Sequence, residues 1–106
     1  MFVTLRLTIG IQPADGTWNL LMLWTRQDRS GRGHGTALVG QVEGALSERG
    51  ARLLIVETSG SPDFETARAF YSKCGFTREA RIRDFFAAGD DKIVFTKRLA
   101  RNGNAA

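Results

Sequence analysis

Three glycines at alternate positions, in Ser30-Gly31-Arg32-Gly33-His34-Gly35-Thr36, form the stretch of this chain whose residue types best suit chemistry. A glycine backbone can take positive φ and approach a ligand closely, so successive N–H groups converge on one anion. A helix starting just beyond adds the positive end of its dipole. That chemistry is phosphate binding. Upstream, the polar connector Arg26-Gln27-Asp28-Arg29 carries arginines that either reach phosphate oxygens or stand as solvated loop charges.

The remaining reactive residues exclude several classes. The chain has one cysteine, Cys74, and one histidine, His34, so neither an intramolecular disulfide nor a Cys/His metal cluster can form. No metal is expected, and a reducing compartment is. A nucleotide-triphosphate loop needs Gly-Lys-Ser/Thr, whereas Gly35 is followed directly by Thr36. The spacing G-x-G-x-G also departs from the dinucleotide fingerprint.

Length and charge narrow the frame. The 106 residues, 42% hydrophobic, suit a single domain over 1–100 with a flexible tail at 101–106. Lys plus Arg exceed Asp plus Glu by 15 to 11, which favours an anionic ligand. The basic residues are scattered without aromatic alternation, which argues against nucleic acid. No charged-then-apolar leader and no run near the ~20 apolar residues of a membrane span are present, so a soluble, cytoplasmic protein is expected.

The elements that must position the loop follow from periodicity. Val3, Leu5, Leu7, Ile9 and Ile11 alternate with polar residues, predicting a half-buried strand, and Pro13-Ala14-Asp15-Gly16 supplies a hairpin turn. Thr17 to Thr25 is apolar on both faces and predicts an interior strand leading to the loop. A helix over Thr36 to Arg49 is predicted with Leu38, Val42, Ala45 and Leu46 as its stripe, Gly50 as its cap, and Gly40 and Gly44 allowing close packing on the sheet. Ala51 to Thr58 predicts a buried strand parallel to the second. Ser61 and Pro62 open a helix with Ala67, Phe70, Tyr71 and Cys74 on one face, ending at Gly75. Strands over Phe76 to Phe86 and Lys92 to Leu99, joined by a loop at 87–91, complete the chain. The fold class is α/β (α+β), a mixed, largely antiparallel sheet of about five strands with two main helices.

Two motifs carry a resemblance. The loop Ser30 to Leu38 resembles the acetyl-CoA loop of the GNAT superfamily of N-acetyltransferases, Gln/Arg-x-x-Gly-x-Gly/Ala. The stretch Ala67 to Phe76 is similar to that family's A-x-x-F-Y-x-x-x-G-F element, and the resemblance runs from about Thr17 to Leu99. It implies a truncated GNAT fold with acetyl-CoA as cosubstrate and no metal. By that resemblance Leu23 and Thr25 contact the pantetheine, and Ser30, Gly31, Arg32, Gly33, His34, Gly35 and Thr36 cradle the pyrophosphate. Phe70 joins the cofactor site, and Lys73, Arg78 and Arg32 face the 3′-phosphate or remain surface charges.

The resemblance also places Tyr71 as the general acid toward the departing CoA thiolate, against a purely packing role beside Phe70. Glu57, at a strand end, is the candidate base or amine-orienting carboxylate, against an ion pair. His34 packs or brushes phosphate. Cys74, on an apolar helix face with no free histidine, is not expected to be a nucleophile.

Three departures qualify the implied activity. Ser30 replaces the family's Gln or Arg, and Phe64 stands where Asn is frequent. Only 29 residues precede the loop, so the acceptor half is short. The implied function is acetyl transfer to a small-molecule or peptide amine, with a homodimer supplying the missing wall. The alternative is a noncatalytic CoA-binding or interaction domain.

Overall fold

The alternating N-terminal run forms β1 (Phe2–Ile9), and the apolar run after the turn forms β2 (Thr17–Asp28). The computed structural model describes residues 2–9, 14–28 and 34–99, with side chains over 14–20 and 36–99. Ile11, Pro13, Arg29, Ser30–Gly33 and the tail therefore lie outside the described residues. Gly16, at φ +74, closes the turn, and Thr17 N–H donates to the Ala14 carbonyl at 3.0 Å. β1 runs antiparallel to β2 from Ile9↔Leu20 to Phe2↔Asp28.

β2 is longer than its apolar run. Arg26, Gln27 and Asp28 belong to the strand and not to a connector, because Phe2 of β1 pairs with Asp28 beyond a register shift. Polar side chains do not end a strand whose backbone has a partner.

The helix α1 (His34–Glu48) starts two residues before the expected Thr36, so His34 and Gly35 lie in its first turn and not in a loop. Val39 and Leu46 are buried and Val42 packs against the same cluster, whereas Ala45 is exposed. The buried face is thus centred one residue from the expected stripe. Gly40 and Gly44 are exposed, and a Cβ added at either would meet nothing within 4 Å among the described residues, so neither serves close packing there. Gly50, at φ +85, ends the helix: its N–H donates to Ser47 and that of Ala51 to Leu46, each at 3.0 Å. Together these bonds satisfy carbonyls that a helix end would otherwise leave free.

β3 (Leu53–Ser59) runs parallel to β2, as the intervening helix requires. A 3-10 turn at Pro62–Phe64 then leads into α2 (Glu65–Lys73). Ser61 makes no side-chain cap bond there; its backbone N–H and carbonyl are engaged instead by Ser59 and Arg68. Gly75, at φ +93, ends α2 as Gly50 ends α1, with Phe76 N–H donating to the Tyr71 carbonyl at 3.0 Å. β4 (Thr77–Ala87) and β5 (Asp90–Arg98) close the chain, and the loop between them contracts to Ala88 and Gly89. Asp90, paired with Ala87, and Asp91 both belong to β5 rather than to the expected loop.

The five strands form one sheet in the order β1-β2-β3-β5-β4, with β2–β3 the parallel pair. Val39 and Leu46 of α1, Ala67 and Tyr71 of α2 and Cys74 at the α2 C-cap join Leu20, Leu54, Val56, Ile93 and Phe95 in one buried cluster. β4 is an edge strand exposed along its whole length.

Candidate active site

β2 and β3 are paired only from Thr17↔Leu53 to Leu20↔Val56 among the described residues. Beyond that point β2 continues to Asp28 beside β1, while β3 continues to Ser59 beside β5. Two parallel strands joined at one end and parted at the other leave a cleft with a backbone edge. Such an edge presents N–H and C=O groups to an extended ligand. Leu23 and Thr25 both lie on the parted length of β2, opposite Arg6 and Thr4 of β1.

The chain re-enters the described structure at His34, whose helix has no acidic residue in its first turn. The N-terminus of a helix, with its N–H groups and positive dipole end, suits a phosphate. Gly31, Arg32, Gly33 and Ser30 lie outside the described residues, and His34, Gly35 and Thr36 form the first turn of α1. The residues that can be placed therefore fit a phosphorylated, extended cosubstrate.

Tyr71 projects from α2 into the core and is 2% exposed. Its ring lies 5.5 Å from that of Phe95, 6.0 Å from Phe70 and 6.2 Å from Phe76. Burial, with the nearby Cys74 adding to it, pushes the phenol up to about 12. Tyr71 is therefore protonated throughout the physiological range. Cys74 is buried as well; that burial pushes its thiol up, and a hydrogen bond from Thr36 pulls only partly the other way. A buried, protonated thiol is a poor nucleophile.

Glu57 lies on the other side of β3. Val56 and Thr58 are buried, and strand alternation turns Glu57 outward, where it is exposed. Its Oε1 lies 3.1 Å from Lys92 Nζ. The strand end beside it is tightly fixed: Arg68 Nη1 donates to the Ser59 and Ser61 carbonyls, each at 2.8 Å. Ser59 Oγ donates to Asp90 Oδ1 at 2.5 Å and accepts the Ser61 N–H at 3.0 Å. Phe70 is half-buried on α2, and Lys73 and Arg78 are exposed.

The sequence reading missed Lys92 and Phe85. Lys92 Nζ sits 4.1 Å from the Phe85 ring centroid, so Glu57, Lys92 and Phe85 form one group drawn from β3, β5 and β4. No local pattern announces it, because β4 reaches β5 through an irregular register.

A family model described as an acetyltransferase (GNAT) domain matches residues 4–78. A solved GNAT-family structure from Desulfovibrio desulfuricans is 36% identical with a TM-score of 0.81, over 89% of this chain and 60% of that one. A Bacillus subtilis acetyltransferase in complex with CoA is 19% identical with a TM-score of 0.73, over 89% of this chain and 68% of that one. The aminoglycoside 6'-N-acetyltransferase from Enterococcus faecium is 16% identical with a TM-score of 0.72, over 89% and 66%. The last two likenesses are of fold. The chain spans about 60% of the length of the Desulfovibrio chain. No curated protein matches the sequence.

Proposed function

The chain belongs to the GNAT acetyltransferase family, and on that footing we propose that it transfers the acetyl group of acetyl-CoA to a primary amine by direct attack in a ternary complex. The observation that carries this reading is the parting of β2 from β3 beyond Leu20 and Val56. Acetyl-CoA brings the activated thioester. The β2 backbone at Leu23 and Thr25 holds the pantetheine arm as an added strand would be held. Ser30, Gly31, Arg32 and Gly33, with the first-turn N–H groups of His34, Gly35 and Thr36, hold the pyrophosphate. Phe70 lines the arm, and Lys73 answers the 3′-phosphate.

Glu57 orients the amine and accepts its proton as the nitrogen bonds to the acetyl carbon and the C–S bond breaks. Tyr71 donates a hydrogen bond to the departing sulfur. Moving the phenol proton from about 12 to a thiolate with a pKa of about 8.5 would be uphill by about 5 kcal/mol. Tyr71 thus stabilises the developing charge and keeps its proton.

The exposed β4 edge, with Ile82 half-exposed, supports a homodimer, which light scattering tests. The lone, buried Cys74 suits a cytoplasmic location. For the activity, acetyl-CoA is titrated calorimetrically and CoA release is followed across a panel of amines. Binding with release, and a loss of about 10²-fold in kcat for Tyr71→Phe, supports transfer. Binding without release from any amine makes this a noncatalytic CoA-binding domain instead.

A further inference from the structure

Between Ile82↔Lys92 and Ala87↔Asp90, the residues Arg83, Asp84, Phe85 and Phe86 of β4 face the single residue Asp91 of β5. This bulge throws two aromatic rings outward, leaving Phe85 51% and Phe86 50% exposed. The rings lie edge to face, 4.9 Å between centroids. Bulges of this kind re-aim side chains at a strand's rim.

The bulge is built and not slack. Asp84 has a left-handed φ of 56, a region uncommon outside glycine that Asp tolerates and that local hydrogen bonds hold here. Its N–H donates to Asp91 Oδ1 at 2.9 Å, and its own Oδ1 accepts the Gly89 N–H at 2.7 Å. Arg81 Nε holds the other Asp91 oxygen at 2.7 Å. The consequence is a fixed Phe85 ring, 4.1 Å from the Lys92 ammonium, which lies 3.1 Å from Glu57 Oε1. The Lys92 side chain is 14% exposed.

A carboxylate on one side and an aromatic face on the other form a receptor for an ammonium group. We propose that Glu57 and Phe85 form the acceptor site of this chain, that it takes a primary ammonium on an unbranched alkyl stem, and that Lys92 occupies it until such an amine enters. This rests on the acetyltransferase reading and deepens it from amines in general to the lysine side chain or an alkyl polyamine. The carboxylate that grips the ammonium is the one assigned to orient it. Lys92 shows that an alkyl ammonium fits the space. The Glu57 side chain that pairs with it is 35% exposed, so an incoming ammonium can reach that carboxylate from solvent.

The test uses n-butylammonium as probe, without cosubstrate, followed by amide shifts of Glu57, Phe85 and Phe86. Lys92→Met keeps the stem and removes the tethered competitor, so it binds at least about tenfold more tightly than the parent chain. Adding Phe85→Ala or Glu57→Gln erases the gain. Lys92→Gln, a second vacating variant, gives the same ordering. Glycinamide, an α-amine without the stem, binds Lys92→Met more weakly than n-butylammonium.

Equal affinity in the parent, Lys92→Met and Lys92→Gln overturns the proposal, as does a gain that survives loss of Phe85 and Glu57. Glycinamide binding as tightly as n-butylammonium overturns the substrate class. Acetyl-CoA titrated into the same samples reports the acetyltransferase reading separately, since the amine probe requires no cosubstrate.

Discussion

Lys97 of β5 reaches the C-terminal end of α2, its Nζ 2.7 Å from the Cys74 carbonyl oxygen. The same ammonium holds Glu43 of α1 at 2.9 and 3.2 Å, so one side chain ties both helices to the sheet. A cation at a helix C-terminus also complements the dipole. Lys97→Met leaves a half-buried carboxylate and a carbonyl without their donor, and lowers stability by about 2 kcal/mol. Urea denaturation measures the loss, and adding Glu43→Gln recovers part of it. A loss below about 0.5 kcal/mol would mean that the ammonium is no more than a surface charge.

Gly40 and Gly44 offer the opposite sign. Both lie exposed inside α1, and an added Cβ would meet nothing within 4 Å at either among the described residues. Gly40→Ala and Gly44→Ala each raise stability by about 0.5–1 kcal/mol, by raising helix propensity and restricting the unfolded chain. Thermal melts check this, and the double variant is close to additive. By contrast Gly50 and Gly75, at φ +85 and +93, lose stability on substitution by Ala.

The bulge has its own pH dependence. The Asp84 N–H beside Asp91, opposed in part by desolvation and aided by the Arg81 guanidinium, holds the Asp91 carboxyl below the usual carboxylate range. A depressed carboxyl contributes stability that is present above its unfolded value of about 3.9 and lost as pH falls through the folded value. Hydrogen exchange of the Asp84 amide therefore quickens with acid at a fixed intrinsic rate. Asp91→Asn flattens that dependence. An unchanged acid profile in Asp91→Asn would assign the opening to another carboxylate.

What was legible in the sequence tracks what is local. Val3 to Ile9 alternates in period two and lies in a strand, and Gly50 and Gly75 mark helix ends because the closing turns there take a left-handed φ. The strand–helix–strand order around β2, α1 and β3 fixed the parallel pair. Two kinds of feature escaped. The extra length of β2 depends on β1 as partner, and the stripe of α1 depends on which turn meets the sheet, so Ala45 looked buried and Val39 did not. The Glu57–Lys92–Phe85 group depends on a bulge whose Asp84 conformation has no signature in its neighbours. Glu57 was legible as a strand end, but its partner was not.

Tyr71 is the only tyrosine of the chain, so its ionisation can be followed by phenolate absorbance without interference from another. In the folded state it ionises near 12, against about 10 when unfolded. A group raised on folding contributes stability that is complete below its unfolded value and lost as pH rises through its folded one. The difference corresponds to about 3 kcal/mol, lost between about pH 10 and 12. Burial raises the Cys74 thiol too, which adds a loss of the same sign at alkaline pH. Tyr71→Phe removes the tyrosine part of this slope and keeps the ring packed against Phe95 and Phe76. The variant therefore stays folded at neutral pH and is more resistant to base than the parent relative to its own neutral stability. A phenolate signal rising near pH 10 in the folded chain would instead place the hydroxyl in water, and with it remove the desolvated donor on which the assigned role of Tyr71 depends.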